Sequence, residues 1–233
     1  MQRPEKEGLE LSIVMPCRNE EATIGFCVDE AGAFLEKYRL KGEVLVVDNG
    51  SVDASARLAE QHGARVITES SPGYGNAIRA GLAASTGNVV IIGDCDTTYD
   101  FLHLEEMYRL LAEGECDMVI GNRYAGGMEP GSMSWSHRWG VRFLSWCARA
   151  RFHTEVYDFH CGLRGLSRSA IEELAFHTAG MEFATEMIAE AAAHGLRISQ
   201  MPVTLRRCEY GRESKLRTVR DGLRHLGYII AGK

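Results

Sequence analysis

Two carboxylates stand two residues apart at Asp94 and Asp96, directly after the apolar run at residues 88–92. The run predicts a buried strand, and residues two apart on a strand project to the same side. The pair can therefore hold one hard divalent cation, Mg²⁺ or Mn²⁺, whose shell is often completed by substrate phosphates. This predicts metal-assisted handling of a nucleoside diphosphate, while a solvated acidic turn is the alternative that the pair alone leaves open.

Polar residues also follow the other predicted strands. Pro16, Asn19 and Glu20 lie at the end of the first strand, and Asp48 ends the second. A carboxylate such as Asp48 can accept hydrogen bonds from a base or a ribose. The glycines at 73 and 75 lack the third glycine of a dinucleotide loop, and the first strand carries no such loop, which argues against a nicotinamide-dependent enzyme.

The elements that position these residues alternate in type. The predicted strands are 11–16, 43–48, 65–69, 88–92 and 117–122, and the predicted helices are 20–38, 53–62, 75–85 and 101–112. This rhythm predicts an α/β fold, Rossmann-like, with a mostly parallel sheet and helices on both faces, where ligands bind beyond the carboxyl ends of strands. Helices and one strand at 198–205 are expected to follow. We divide the chain into a polar segment 1–10, a catalytic domain 11–205 and a basic segment 206–233.

Composition sets further limits. The 233 residues carry a net charge of −6, which argues against a nucleic-acid partner. The seven cysteines are scattered and odd in number, which argues against a disulfide framework and fits a reducing compartment. Neither a signal-peptide core nor a stretch long enough to span a bilayer stands in the sequence. A cytoplasmic location is therefore expected.

The motifs form an ordered set that resembles a known family. Pro-x-x-Asn-Glu, Val-Asp-x-Gly-Ser-x-Asp, Gly-x-Gly-x-Ala, Asp-x-Asp and Gly-Asn-Arg together resemble glycosyltransferase family 2. Segments 158–165, 180–187 and 220–226 resemble its branch of dolichyl- and polyprenyl-phosphate sugar synthases. The resemblance spans residues 11–228 and implies a GT-A fold, a nucleoside-diphosphate sugar donor, Mg²⁺ or Mn²⁺, and inversion at the anomeric carbon.

The resemblance also implies roles for single residues. Asp94 and Asp96 are the expected metal ligands. Asp158 is a candidate general base for a hydroxyl acceptor, with loop capping as the alternative. Glu182 is a second catalytic candidate that could instead cap a helix. The expected donor-binding residues are Pro16, Asn19, Glu20, Asp48, Asp94, Arg123, Arg138, Arg207, Arg212 and Lys215.

Several residues near these positions allow more than one interpretation. The fork of Arg123 suits a phosphate, and a surface ion pair is the other possibility. His160 and Cys161 could form a metal pair, but a satisfied histidine and a buried thiol are the preferred interpretation. Thr97 and Thr98 stand where lipid-phosphate mannosyl enzymes often carry a third polar metal ligand, and they are weaker ligands.

Residues 134–151 bear on the acceptor. Aromatic side chains recur at helical spacing on one face, and arginines fall on another face. No acidic residue occurs in this segment. The aromatic residues are Trp135, Trp139, Phe143 and Trp146, and the arginines are Arg138, Arg142 and Arg149. An interfacial helix on an anionic membrane has this pattern. A core-facing amphipathic helix with a solvated basic face is the alternative, and the sequence leaves both open.

Together these observations predict a metal-dependent inverting glycosyltransferase. It would move a hexose from a nucleoside-diphosphate sugar, UDP preferred over GDP by resemblance, to a polyprenyl phosphate. The alternative is a soluble enzyme of the same family acting on a small-molecule acceptor in a specialised pathway, for example an antibiotic pathway. The basic segment after residue 206 is expected to close over the donor diphosphate, and peripheral contact with the cytoplasmic membrane face through residues 134–151 is expected.

Overall fold

The computed structural model describes residues 8–208 and 218–231 of the chain. Within them a seven-stranded sheet has the order β3-β2-β1-β4-β6-β5-β7. The strands are β1 (Leu11–Cys17), β2 (Gly42–Asp48), β3 (Arg65–Thr68), β4 (Val89–Ile92), β5 (Met118–Asn122), β6 (Arg164–Ser167) and β7 (Ile198–Pro202). All neighbouring strands pair in parallel except β6, which is antiparallel to both β4 and β5. The predicted mostly parallel α/β sheet is confirmed.

Helices connect the strands and cover the sheet. They are α1 (Ile24–Tyr38), α2 (Ser55–Gln61), α3 (Tyr74–Ala84), α4 (Glu105–Ala112), α5 (Arg123–Gly126), α6 (Trp135–Phe152), α7 (Arg168–Glu173), α8 (Phe183–Ala193) and α9 (Thr218–Ala231). All four residues of β4 and most of β1 are buried, as expected for central parallel strands whose two faces are covered. In the described part of the chain no helix has the length and apolarity needed to cross a bilayer.

The sequence prediction differs from the structure at particular elements. Strand β6 is absent from the prediction, because its four residues begin with Arg164 and Gly165 and show no apolar alternation. It lies between β4 and β5 and keeps these two consecutive strands apart. Helices α1 and α4 begin four residues later than predicted, at Ile24 and Glu105, since the preceding residues form the loops at the carboxyl ends of the strands.

Candidate active site

The carboxyl ends of β1, β2 and β4 lie at one edge of the sheet, because β1 pairs in parallel with both of the others. Cys17 is in register with Asp48 across β1 and β2. Asp94 and Asp96 lie in the loop that follows β4, after Gly93. The structure therefore brings the polar residues after three strands to the edge where ligands of such sheets bind.

The loops after β1 and β2 are tied together by hydrogen bonds. The backbone N–H of Asn19 donates to Ser51 Oγ at 2.9 Å, and the N–H of Val52 donates to Asn19 Oδ1 at 2.8 Å. Asn19 has a φ of 51°, a left-handed conformation that asparagine tolerates better than most residues. Asp48 accepts from the Ser51 N–H at 3.3 Å. Two predicted nucleoside-binding residues, Asn19 and Asp48, thus lie in two loops that are hydrogen-bonded to each other; we call them the double loop.

Two more predicted donor residues border this double loop. The backbone N–H of Glu20 donates to Ser55 Oγ at 2.7 Å, which fixes the start of the first loop. The Pro16 carbonyl accepts at 3.3 Å from the thiol of Cys95, the residue between the two predicted metal ligands. Pro16 therefore links the predicted nucleoside pocket to the predicted metal site.

The turn at Asp96 is internally braced. Asp96 Oδ1 accepts from the Thr98 N–H at 3.1 Å and from Thr98 Oγ1 at 2.5 Å. Thr97 has a φ of 66°, which is uncommon for a β-branched residue and turns the chain sharply. The Thr23 hydroxyl donates to the Cys95 carbonyl at 2.8 Å. Thr98 thus orients the Asp96 carboxylate, a role that the sequence comparison with metal ligands at this position does not predict.

Asp94 lies in a polar and tightly packed corner. Tyr74, at the start of α3, is hydrogen-bonded to the Asp94 carboxylate, and burial together with that negative charge raises the pKa of Tyr74. Gly162 packs against the same carboxylate so closely that a Cβ at this position would stand 2.2 Å from Asp94 Oδ2. The Gly162 N–H donates to the Tyr99 hydroxyl at 2.8 Å, which holds the segment in place.

Replacing Gly162 by alanine is expected to displace the Asp94 carboxylate and lower turnover at least about tenfold, because a ligand moved by about 1 Å is misplaced for its metal. Turnover at saturating Mn²⁺ and the Mn²⁺ dependence of the rate measure the effect. Gly32→Ala in α1, where a Cβ meets nothing within 4 Å, is the matched control and should keep full activity. An unchanged Mn²⁺ dependence in Gly162→Ala would contradict the assignment of Asp94.

The residues at this edge fit a divalent cation that shares its shell with substrate. In the described ranges no group of three or more His, Cys, Asp or Glu side chains is arranged to hold a metal ion. Asp94 and Asp96 would therefore supply two carboxylates, and the remaining positions would belong to diphosphate oxygens and water. Mg²⁺ and Mn²⁺ are commonly bound in this way, through one or two carboxylates and substrate phosphates.

Arg123 and Asp158 form a buried ion pair. Arg123 Nε donates to Asp158 Oδ2 and Nη2 donates to Oδ1, both at 2.7 Å, and the Arg123 N–H adds a third contact at 3.2 Å. Asp158 is fully buried and Arg123 is 6% exposed. From sequence the two residues stand separately, with a phosphate contact or a surface ion pair expected for Arg123. The surface ion pair is wrong because the pair is buried, whereas the phosphate contact of Arg123 stays a prediction. A carboxylate held at both oxygens is poorly placed to act as a base.

The structure contradicts the capping alternative for Glu182 and the expectation of a satisfied His160, while the catalytic role of Glu182 stays a prediction. Glu182 precedes α8, but its side chain makes no capping hydrogen bond and accepts instead from Arg224 Nη2 at 2.6 Å and from the Gly180 N–H at 3.2 Å. His160 was expected to be a satisfied histidine. Its Nδ1 lies 3.4 Å from Ser145 Oγ, whereas its buried Nε2 has no partner in the part of the chain that the structure describes. The predicted burial of Cys161 is confirmed.

The basic residues of the C-terminal segment are only partly described. Arg207 is exposed, and its N–H donates to Glu129 Oε2 at 2.7 Å. Arg212 and Lys215 lie outside the described residues. Arg206, which the prediction did not select, donates to Glu30 Oε1 at 3.0 Å, and its N–H donates to the Thr98 carbonyl at 2.9 Å. The start of the basic segment is thereby anchored beside the Asp96 turn, and only the general excess of arginine in this region pointed to it.

The aromatic face of α6 is exposed to solvent. Trp135 is 76% exposed, Trp146 63%, and Trp139 and Phe143 are 57% exposed each. The alternative of a core-facing aromatic stripe is therefore wrong. Arg138 is exposed on the same helix. Burial in α6 falls on another, narrow face formed by small or short side chains; these are Val141, Ser145 and Ala148.

Helix α6 is joined to the site through its other face. Ser145 Oγ accepts from the Phe159 N–H at 3.3 Å, and the Tyr124 hydroxyl donates to the Arg138 carbonyl at 3.3 Å. Tyr124 and Phe159 are the chain neighbours of Arg123 and Asp158, respectively. The aromatic helix is thus attached to the segment that reaches Asp94 through Gly162.

The chain is similar to curated proteins of known class. It is 37% identical over 221 residues to the low-salt glycan biosynthesis hexosyltransferase Agl6 of Haloferax volcanii, and the match covers 94% of this chain and 53% of that protein. A dolichyl-phosphate hexose transferase of the same organism is 30% identical, with 89% of this chain and 86% of that protein covered. The chain therefore spans about half the length of the first of these relatives.

A solved structure has the same fold. Glucosyl-3-phosphoglycerate synthase from Mycobacterium tuberculosis, crystallised with Mn²⁺ and uridine-diphosphate-glucose, superposes with a TM-score of 0.77 at 24% identity, covering 96% of this chain and 78% of that one. The family model described as glycosyl transferase family 2 matches residues 12–175, which include the carboxylates after β4 and the Arg123–Asp158 pair. The chain belongs to glycosyl transferase family 2.

Proposed function

We propose that the protein transfers a hexose from a UDP-sugar to a polyprenyl phosphate, with inversion at the anomeric carbon and with Mg²⁺ or Mn²⁺ as cofactor. One observation carries the choice of acceptor. The exposed aromatic face of α6 stands on a helix whose opposite face, through Ser145, contacts the segment that packs on Asp94. A lipid bound along this helix would lie on an element that is attached to the segment beside Asp94.

The donor side follows from the strand-end residues. Asn19 and Asp48 offer an amide and a carboxylate to the nucleoside, and Asp94 and Asp96 would hold the cation. Bound there, the cation would neutralise the developing charge of the nucleoside diphosphate leaving group. The resemblance to the family favours a uridine over a guanosine in the donor nucleotide.

The Arg123–Asp158 pair is consistent with a phosphate acceptor. A hydroxyl acceptor needs a general base, and Asp158 is held at both carboxylate oxygens by Arg123. The oxygen of a lipid phosphate is already ionised at neutral pH and attacks without one. The similarity to a dolichyl-phosphate hexose transferase supports the same class of acceptor.

A donor screen tests the proposal. UDP- and GDP-hexoses are incubated with Mg²⁺ or Mn²⁺, with and without a short polyprenyl phosphate, and released nucleoside diphosphate and lipid-linked sugar are measured. Formation of the lipid-linked hexose is expected. Donor turnover without lipid-linked product would contradict the proposal of a polyprenyl-phosphate acceptor and would favour a soluble acceptor.

Membrane contact through α6 gives a separate prediction. Replacing Trp135, Trp139 and Trp146 together by serine should abolish binding to vesicles of phosphatidylcholine mixed with phosphatidylglycerol, because the aromatic side chains would supply the buried apolar area. The arginines add a salt-dependent attraction to anionic lipid, so wild-type binding should weaken in pure phosphatidylcholine and in high salt. Vesicle co-sedimentation measures both effects.

The tryptophans are more than half exposed, so the triple variant should fold normally. Phe26→Ser in α1, an aromatic residue 46% exposed on another helix, is the matched control and should bind vesicles like the wild type. Equal binding by the triple variant and the wild type would exclude α6 as the membrane-contact surface.

A further inference from the structure

A polar cluster joins α8, α9 and the segment after Asp158. Arg224 of α9 donates to Glu182 Oε1 at 2.6 Å. The next residue, His225, has its Nδ1 2.8 Å from Thr185 Oγ1. Its ring stands edge-on to that of His160, with centroids 4.4 Å apart and an interplanar angle of 79°. Consecutive residues of α9 thus hold Glu182 and His160, and neither the metal nor the nucleoside contacts account for this arrangement.

Two buried polar atoms of the cluster lack a partner. They are Glu182 Oε2 and His160 Nε2, and no hydrogen-bonding group among the described residues reaches either of them. Glu182 is 8% exposed. Burial lowers the pKa of His160 well below its usual range, so its imidazole is neutral at neutral pH. Buried polar atoms are normally hydrogen-bonded, and an exception calls for a ligand or another explanation.

Two short chain segments connect the cluster to the predicted metal site. Gly162, two residues after His160, packs on the Asp94 carboxylate. Ala179, three residues before Glu182, accepts from the Gly75 N–H at 2.9 Å at the start of α3. Tyr74, the neighbour of Gly75, is the hydrogen-bond partner of Asp94. Both unpartnered atoms therefore lie a few residues from contacts that shape the donor edge.

The two unpaired atoms, Glu182 Oε2 and His160 Nε2, limit the kinds of ligand group that can bind to them. The charge of Glu182 is already compensated by Arg224, so an anionic phosphate would gain no net attraction here, and a fully ionised phosphate has no hydrogen to donate to Glu182 Oε2. An apolar polyprenyl chain would leave both atoms unpaired. A hydroxyl group donates to a carboxylate oxygen, and it can either donate to or accept from a neutral imidazole nitrogen. Sugar hydroxyls meet both requirements.

We propose that Glu182 Oε2 and His160 Nε2 bind hydroxyl groups of the transferred hexose. Arg224 and His225 of α9 are positioning residues, because they contact the two binding side chains and hold them in place. This inference rests on the proposed hexosyl transfer. It makes the pair a determinant of which hexose the enzyme accepts.

Monodeoxy donors test the proposal. The UDP-hexose selected by the donor screen, UDP-glucose in the first instance, is compared with its analogues lacking the hydroxyl at C2, C3, C4 or C6. The wild type should lose about 10- to 100-fold in kcat/KM for at least one analogue, because its buried carboxylate oxygen is left unpaired. Glu182→Ala should lose a similar factor with the parent donor and little more with that analogue.

The effects of Glu182→Ala and of the missing hydroxyl should therefore not add. This distinguishes a Glu182 that binds the hexose from a Glu182 that only supports α9. If Glu182 only holds α9, Glu182→Ala lowers kcat/KM for the parent and the deoxy donors by the same factor, and the proposal is overturned. A wild type that treats all four analogues within about threefold of the parent also overturns it. Arg220→Ala, an exposed position on the same helix, is the matched control and should keep the wild-type discrimination.

Failure of the proposed function has a different signature. A protein that releases UDP from the parent donor without forming a lipid-linked sugar still permits the comparison of deoxy donors through the hydrolysis rate. The proposed polyprenyl-phosphate acceptor would then be wrong, and the contribution of the hexose hydroxyls would still be measurable. Binding of UDP alone, with no contribution from the hexose in calorimetry, would overturn the inference.

Discussion

Asp96→Asn is expected to abolish hexose transfer while leaving the fold intact. Asparagine keeps an oxygen that can accept from the Thr98 N–H and hydroxyl, so the turn after β4 should stay in place. The charge that would hold the cation is lost, and a metal ion contributes several kcal/mol of charge stabilisation in such reactions. A loss of about 10³-fold in kcat follows, since each 1.36 kcal/mol is about tenfold in rate.

The measurement combines turnover with thermal unfolding. Asp96→Asn should melt within a few degrees of the wild type yet show almost no product over a range of Mn²⁺ concentrations. Asp29→Asn, an exposed carboxylate of α1 that contacts His62, is the matched control and should retain full activity. A rate close to wild type in Asp96→Asn would remove Asp96 from the mechanism, and the carboxylate pair would then be an ordinary acidic turn.

The predictable part of this fold is the part fixed by local sequence. Strands β1, β2 and β4 are continuous apolar runs, and parallel pairing places the residues after them at one edge. Asn19, Asp48 and Asp96 can therefore be assigned to a common edge of the sheet from the order of the amino acids alone. Strand β6 cannot be found in this way, because Arg164 and Gly165 owe their place in the sheet to their neighbours and not to strand propensity.

The pairing of distant side chains is the second feature that the sequence does not predict. Arg123 and Asp158 are 35 residues apart, and Arg224 and Glu182 are 42 apart. Both contacts depend on how β6 and α9 pack, which single-residue chemistry does not reveal. The exposure of the α6 aromatic face is undecidable from sequence for a similar reason, since a helical stripe has the same period whether it faces a core or a membrane.

Asp158→Ala is expected to destabilise the protein by about 3–5 kcal/mol, because it leaves the buried Arg123 guanidinium without its counter-charge. Urea unfolding followed by circular dichroism measures the free energy of unfolding. The double variant Arg123→Met/Asp158→Leu removes both charges and should recover much of the loss, since apolar residues of similar volume often replace a buried pair at little cost. Equal destabilisation in the single and double variants would show that packing, not charge, dominates here.

An ion pair at the protein surface provides a reference for the stability contribution of the buried Arg123–Asp158 pair. Arg197 and Asp117 make a similar forked contact, with Arg197 Nη2 and Asp117 Oδ1 2.8 Å apart, but the Arg197 side chain is 58% exposed. Asp117→Ala should therefore cost about 1 kcal/mol or less. A loss similar to that of Asp158→Ala would mean that burial does not distinguish the two pairs.

Asp158→Asn separates the structural role of this carboxylate from catalysis. The amide keeps one acceptor for Arg123, so most of the protein should remain folded at low temperature. Because Arg123 holds both oxygens of Asp158, we expect kcat per folded molecule to stay within about tenfold of the wild type. A general base would behave differently, with a loss of about 10²- to 10⁴-fold at unchanged stability. That result would restore Asp158 to the chemistry and require Arg123 to release it when substrate binds, and the acceptor would then be a hydroxyl instead of a phosphate.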